Sequence, residues 1–437
     1  MIAAIDIPLC LAPICGSILP PGSKSITNRA LVCAALARGT SLLSGVLDSQ
    51  DTRVMVDGLM ALGVQLTPDW PRSEIQITGT LGKIPSRQAV LDCAASGTTI
   101  RFLSAVTALG HGTFRLDGTP RMRKRPIGDL LESLRSLGID ARSESPGDCP
   151  PVVIHSQGLA GGTTTVCGST SSQFASALAL VAPCTTRGMQ IGFEGRLVSL
   201  PYLEMTRRVM ESFGGMCEVT GDNCWWIGPS GYAACDYTIE PDASAASYFF
   251  AAAAITGGSV CVRGLSHRSM QGDIGFCSVL EQMGCSVQWR DESVTVSGRA
   301  ARGVDVDMNA ISDTVPTLSV VALFAEGPTT IRNVAHIREK ETDRISDLAC
   351  ELGKLGARVT EQDAGLTIDP PATLTALHGA TLATYDDHRM AMSLALAGLR
   401  VPGVRILNPA CVAKTFPDYW QRLATLAGLN SSEWPTA

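Results

Sequence analysis

The chain has 15 cysteines, an odd and scattered set, and no C-x-x-C pair among them. That absence removes a zinc site and a disulfide framework, so the expectation is reduced thiols in a cytoplasmic protein with no metal. Positive charge is not in excess either: 35 Lys and Arg stand against 41 Asp and Glu, for a formal net charge of −6. This argues against a nucleic-acid surface and against a polybasic membrane patch. No run of about 18 apolar residues passes without polar interruption, so no transmembrane helix is expected. The apolar opening from Met1 to Cys15 carries Asp6 and lacks both a basic leader and a small-residue cleavage site, which reads as a first strand and not a signal peptide. The Walker phosphate loop is missing as well. In Pro20-Pro-Gly-Ser-Lys-Ser25, Ser23 follows Gly22 where that pattern requires lysine. An ATP-dependent kinase is not indicated, and no cofactor motif takes its place.

What is present is repetition. With 437 residues, 45% of them hydrophobic, the chain can bury large cores in two or three domains. Six Ala-rich apolar helices each open on a polar cluster, close near a glycine and run into a short alternating strand. The closing glycines are Gly39, Gly112, Gly188, Gly258, Gly327 and Gly403, and a second series, Gly63, Gly138, Gly214, Gly284, Gly356 and Gly428, ends the helices between them. A unit of roughly 73 residues thus recurs six times, the signature of a repeat architecture. Strand, helix, strand, helix, strand is an α/β pattern, and six units divide most simply as three plus three.

The polar residues fall at one place in the repeat. Ser23, Lys24, Ser25 and Arg29; Gly97, Thr98 and Arg101; Ser171, Ser172 and Gln173; Asp242 and Ser244; Asp313; and Asp387, His388 and Arg389 all lie at helix starts. Free N–H groups and the positive macrodipole end make such starts anion sites. Simple capping accounts for Ser171 or Asp242. It does not account for Lys24, Arg29, Arg125, Arg344, Arg389 and Lys414, because the macrodipole disfavours cations there by about 0.3–1 kcal/mol each. Local basic spots, Arg121 to Arg125 and Arg338 to Arg344, on a mildly acidic chain point to small anionic ligands.

Eight ordered segments then resemble one family. They are Pro21 to Arg29, Arg121 to Gly128, Ser171 to Gln173, Glu240 to Tyr248, Met270 to Asp273, Lys340 to Arg344, Asp387 to Met390 and Ala413 to Asp418. Together they resemble the 5-enolpyruvylshikimate-3-phosphate synthases, of the enolpyruvyl transferase family, from Pro21 to the C-terminal region. The resemblance implies two similar domains, each of three βαβαββ repeats in an inside-out α/β barrel arrangement, with the active site in the cleft between them. One domain would span 22–240 and the other 1–21 with 241–437. It also implies transfer of the enolpyruvyl group of phosphoenolpyruvate to the 5-hydroxyl of shikimate 3-phosphate, with release of phosphate through a tetrahedral intermediate. Glyphosate would be an inhibitor, no cofactor would be needed, and the protein would be a cytoplasmic monomer.

By the same resemblance, Lys24, Ser25, Arg29, Ser171, Ser172, Gln173, Ser199, Tyr202, Asp313, His336 and Lys340 would hold shikimate 3-phosphate. Lys24, Gly97, Arg125, Gln173, Glu341, Arg344, Arg389 and Lys414 would hold phosphoenolpyruvate, with Gly97 allowing a close backbone approach to the ligand. Lys24, Asp313, Glu341 and Lys414 would move protons. From the residues alone, Asp313 could equally be a helix cap before Thr314, and Glu341 an exposed partner of Arg344 one turn on. Two positions depart from the family: Ala95 stands where an Asn is usual, and His336 where some members carry Asn. The sister activity, transfer to UDP-N-acetylglucosamine, usually goes with a reactive cysteine in the second unit, and no cysteine lies between Cys93 and Cys149. A non-catalytic repeat scaffold would need neither the cations nor the two carboxylates.

Overall fold

Six of the helices are buried on every side, which is the feature that organises this fold. All 14 residues of Ala243–Thr256 and all 12 of Gly97–Ala108 are buried, and His388–Gly398 and Val315–Ala322 are likewise enclosed. Lys24–Leu36 and Ser172–Val181 are buried apart from their first residues. A helix apolar all round can only be an inner element. The second helices are two-faced: Gln50–Ala61, Gly128–Ser136, Leu200–Ser212 and Arg344–Gly353, for example, each bury one stripe.

The computed structural model describes residues 3–168, 171–195, 197–221 and 223–429. The chain divides into two units, Gly22–Glu240 and Met1–Pro21 with Pro241–Ala437. Among the described residues each unit holds three sheets of mixed direction, packed on its own inner helices. In Gly22–Glu240 every sheet has one plan. A strand lies parallel to the one that follows the inner helix, and a hairpin then adds two antiparallel strands. Gln88–Asp92 pairs in parallel with His111–Asp117, which pairs with Val152–Gln157 and, through it, with Asp140–Ser143. This is βαβαββ, as the family resemblance implies. The outer strand of the first sheet is Asp236–Thr238, from the far end of the unit, set parallel to Thr40–Ser44.

The other unit is completed by the start of the chain. Cys15–Ile18 lies parallel to Ser259–Arg263, in register Ser259 with Cys15, and Ala4–Asp6 lies antiparallel to Arg405–Leu407. The third sheet of this unit therefore has three strands, one N-terminal strand standing where the other sheets have a hairpin.

The periodic glycines do two different jobs. The second series, Gly63 to Gly428, is left-handed throughout, as are Gly39, Gly188, Gly327 and Gly403. Gly112 and Gly258 are not. A Cβ there would meet the Arg87 carbonyl oxygen at 1.8 Å and the Ile14 carbonyl oxygen at 1.9 Å, so a neighbouring strand excludes a side chain. At Gly258 the left-handed cap is taken by Gly257.

Candidate functional site

The inner helices begin where the sequence places its polar clusters, and most of those beginnings are capped. Ser23, Ser96, Ser171, Asp242 and Asp387 each accept an N–H from the first turn. The helix Val315–Ala322 is the exception. It is entered through a 3-10 turn, Asn309–Thr314, with Pro316 in its first turn, and Asp313 does not cap it. Capping is thus removed as the reason for Asp313.

In Gly22–Glu240 the cations do not all sit at helix starts. Lys24 is the first residue of Lys24–Leu36, with Nζ 3.4 Å from Asp51. Arg29 lies in the second turn and is buried, a correction to the helix-start reading. Its Nε donates to Thr206 Oγ1 (2.7 Å), Nη1 to the Ser25 carbonyl (2.8 Å), and Nη2 to Ser176 Oγ (3.3 Å) and the Tyr202 carbonyl (3.2 Å). The guanidinium also lies over the Phe102 ring at 5.3 Å. Burial lowers its pKa to about 10, still charged at neutral pH. Arg29 therefore ties Ser25 to Tyr202, on the helix Leu200–Ser212, while bringing charge to both. Ser199, just before that helix, is held in the left-handed region at φ 55°.

A second knot lies at Gly97 and Gln173. Gln173 Nε2 donates to Thr98 Oγ1 (3.4 Å), and Gln173 Oε1 accepts from Arg101, whose other Nη donates to the Pro126 carbonyl (3.1 Å). Arg125, which follows the short 3-10 turn Met122–Lys124, is buried and lies against Gly97. A Cβ on Gly97 would stand 2.6 Å from Arg125 Nη2 and 2.8 Å from its Cζ. The close approach that calls for glycine is thus made by Arg125. Ser171 Oγ accepts from the Gln173 backbone N–H (3.3 Å), and Ser172 opens the helix.

In the unit of Pro241–Ala437, three carboxylates and four cations share one cluster. Arg344, the first residue of its helix and wholly buried, donates to Asp387 from Nε (2.8 Å) and Nη2 (3.2 Å), to Glu341 from Nη2 (3.0 Å) and to Asp313 from Nη1 (3.3 Å). Burial pulls its pKa down, but the charges of Asp387, Glu341 and Asp313 outweigh that and hold it above its ordinary value. Asp313 also meets Arg389 Nη2 at 2.8 Å and Lys340 Nζ at 3.6 Å. Glu341 accepts from Lys414 Nζ at 2.6 Å, so it bridges Lys414 and Arg344 and is largely buried, not an exposed pair. Lys414 closes the 3-10 segment Pro409–Lys414 and, like Arg125, is not at a helix start. His336 shares a hydrogen bond of 2.9 Å with Ser312 Oγ. Burial and then Lys340 and Arg344 lower its pKa to about 4, against the pull of Asp313, so it is neutral at pH 7.

Asp387 is the member of this cluster to which the sequence assigned no role beyond a helix start. It caps the Arg389 backbone N–H (2.8 Å) and holds two nitrogens of Arg344, which makes it the brace for the Arg344 guanidinium and for the start of the helix that carries Arg389. The turn that delivers it is strained. Tyr385 and Asp386 both have positive φ, 55° and 59°, which Asp tolerates and which costs a residue such as Tyr of order 1–3 kcal/mol. Neither residue type nor spacing announces that strain in Thr384-Tyr-Asp-Asp387.

Among the described residues there is no group of His, Cys, Asp and Glu that could hold a metal ion, and no helix long and apolar enough to cross a membrane.

Comparisons with known proteins place the chain in a family and show its fold. The family EPSP synthase (3-phosphoshikimate 1-carboxyvinyltransferase) matches residues 11–423. A 3-phosphoshikimate 1-carboxyvinyltransferase from Nostoc punctiforme is 48% identical over 96% of this chain and 98% of its own length. One from Erwinia tasmaniensis is 44% identical over 96% and 99%. In fold, the chain is similar to EPSP synthase from Acinetobacter baumannii, with a TM-score of 0.80, 98% of each chain covered and 24% identity. It is also similar to the enolpyruvyl transferase NikO from Streptomyces tendae, with a TM-score of 0.74, 98% of each chain covered and 21% identity.

Proposed function

The chain belongs to the EPSP synthase family, and from that premise we propose that it joins phosphoenolpyruvate to the 5-hydroxyl of shikimate 3-phosphate and releases phosphate. The observation that carries the reading is the cluster of Asp313, Glu341, Lys340, Arg344, Arg389 and Lys414 in one unit. A carboxylate-bearing phosphate ester needs cations in fixed geometry, and Arg344 and Arg389 are held by charge-assisted bonds worth roughly 1.5–3 kcal/mol each.

In this reading Arg344, Arg389, Lys414 and Glu341, with Lys24, Gly97, Arg125 and Gln173, serve phosphoenolpyruvate. Ser25, Arg29, Ser171, Ser172, Gln173, Ser199 and Tyr202 serve shikimate 3-phosphate, with Lys24, Asp313, His336 and Lys340. The 5-hydroxyl gives its proton to a base and its oxygen bonds to C2 of phosphoenolpyruvate while the methylene carbon gains a proton from an acid. The tetrahedral intermediate then loses a methyl proton and the C2–O bond to phosphate. Each half needs a base or an acid beside a carbon centre, and positioned groups of this kind contribute about 10²–10⁴ in rate. Asp313 and Glu341 are carboxylates flanked by cations, and the Glu341–Lys414 pair at 2.6 Å can exchange a proton without moving. Lys24 is the fourth proton carrier.

The matched relatives are named for the shikimate acceptor, which sets UDP-N-acetylglucosamine aside. Phosphate release is the test. Turnover is expected with phosphoenolpyruvate and shikimate 3-phosphate and not with UDP-N-acetylglucosamine; the opposite pattern would overturn the reading.

A further inference from the structure

We propose that Glu351 is a positioning residue for this site: through Tyr385 it clamps the turn Thr384–Asp387 and thereby sets Asp387 and Arg389. Glu351 lies seven residues after Arg344, on the same face of the helix Arg344–Gly353. Its side chain is wholly buried, where a carboxylate is tolerated only if it is paired and hydrogen-bonded. Lys354 supplies the charge, with Nζ 2.8 Å from both carboxylate oxygens. The two other donors both come from the segment that leads to Asp387: the Ala383 N–H at 3.0 Å and the Tyr385 hydroxyl at 2.6 Å.

That segment needs a clamp. The Asp387 N–H donates to the Thr384 carbonyl (2.8 Å), closing a turn whose two central residues both have positive φ. This is the type I′ pattern, which Gly, Asn and Asp fill readily and Tyr does not. Asp386 has its own hold, since Asn408 Nδ2 donates to Asp386 Oδ1 at 2.5 Å, just before the segment that carries Lys414. For Tyr385 the hold is Glu351. If Tyr385 relaxed to negative φ, Asp387 would leave the Arg389 N–H and the Arg344 guanidinium that it now braces.

The kinetic consequence rests on Arg344 and Arg389 serving phosphoenolpyruvate. The full chain is compared with Tyr385→Phe, which removes one hydroxyl from a side chain 38% exposed, with Glu351→Gln, and with Glu351→Gln combined with Tyr385→Gly. Tyr385→Phe and Glu351→Gln are expected to raise KM for phosphoenolpyruvate roughly ten-fold, leave KM for shikimate 3-phosphate within about two-fold, and speed amide exchange across 384–389 roughly ten-fold. Glycine enters the left-handed region without a clamp, so adding Tyr385→Gly to Glu351→Gln should return both quantities to within about three-fold of the parent. An unchanged KM for phosphoenolpyruvate, a change in exchange without one in KM, or no rescue by glycine overturns the proposal. If the parent chain shows no turnover with the two substrates, the functional reading falls and the exchange experiment alone judges the clamp. Protection lost in Glu351→Gln and regained with glycine then supports it, and any other pattern overturns it.

Discussion

Gly97 and Arg125 show how one missing side chain can govern a charged one. The space that a Cβ would fill at position 97 is occupied by the Arg125 guanidinium, the far end of a flexible side chain. Gly97→Ala therefore acts first on Arg125, and only through it on any anion that Arg125 holds. A methyl group pressed into a close contact costs roughly 1–3 kcal/mol. Inhibition by glyphosate, the longer anion, is expected to weaken by one to two decades in Gly97→Ala, with a smaller rise in KM for phosphoenolpyruvate; equal inhibition constants would refute this. His336 gives a prediction in pH. Its pKa is about 4 when folded against 6.5 in the open chain, so between those values the unfolded state binds a proton that the native state does not. Stability from this group is complete above about pH 6.5 and is lost as pH falls towards 4, by an amount of order 3 kcal/mol. His336→Asn should flatten that part of the profile in urea titrations at stepped pH, and an unchanged slope would refute the assignment.

At the scale of the element, the inner helices do two things at once. Their interiors are apolar on all faces and hold each unit together, while their first turns carry the polar groups that meet one another. Lys24 and Arg389 belong to the second task. Lys24→Ala removes a cation from a helix start, which relieves the macrodipole by about 0.3–1 kcal/mol and loses one pair with Asp51. Arg389→Ala leaves Asp313 with Lys340 and Arg344. Both variants are expected to stay folded, with melting temperatures within a few degrees of the parent, while kcat/KM falls by at least about a hundred-fold. A loss of several kcal/mol in stability by calorimetry would make either residue structural.

For the whole molecule, the consequence lies in chain connectivity. Every sheet of Gly22–Glu240 is built from strands of that segment alone, whereas the other unit takes Ala4–Asp6 and Cys15–Ile18 from the chain start. Ile5, Ile7, Ile14 and Ile18 are buried there, at roughly 1.5–3 kcal/mol each. Together this approaches the stability of a typical domain. A fragment 22–240 should unfold cooperatively by circular dichroism. A fragment 241–437 should not, and joining residues 1–21 after its C-terminus should restore a cooperative transition. Cooperative unfolding of 241–437 by itself would contradict the weight placed on the N-terminal strands.

The sequence by itself determined the six-fold repeat, the α/β plan and the polar clusters that open the inner helices. All three are written in local signals: glycine spacing, apolar patterning within one turn or one strand, and capping residues. Lys340, Glu341, Arg344, Arg389 and Lys414 lie in the short contiguous segments that carry the family resemblance, and Asp313, outside them, stood out only as a helix-start carboxylate. Only the tertiary structure decided their partners. Whether Asp313 caps a helix or meets Arg389, and whether Arg29 faces outward or ties Thr206 to Ser25, depends on residues 31 to 177 positions away. Local pattern has no means of expressing such a pairing. The left-handed Tyr385 is of the same kind. Its intrinsic preference is against the conformation it holds, and the group that enforces it, Glu351, comes from another element.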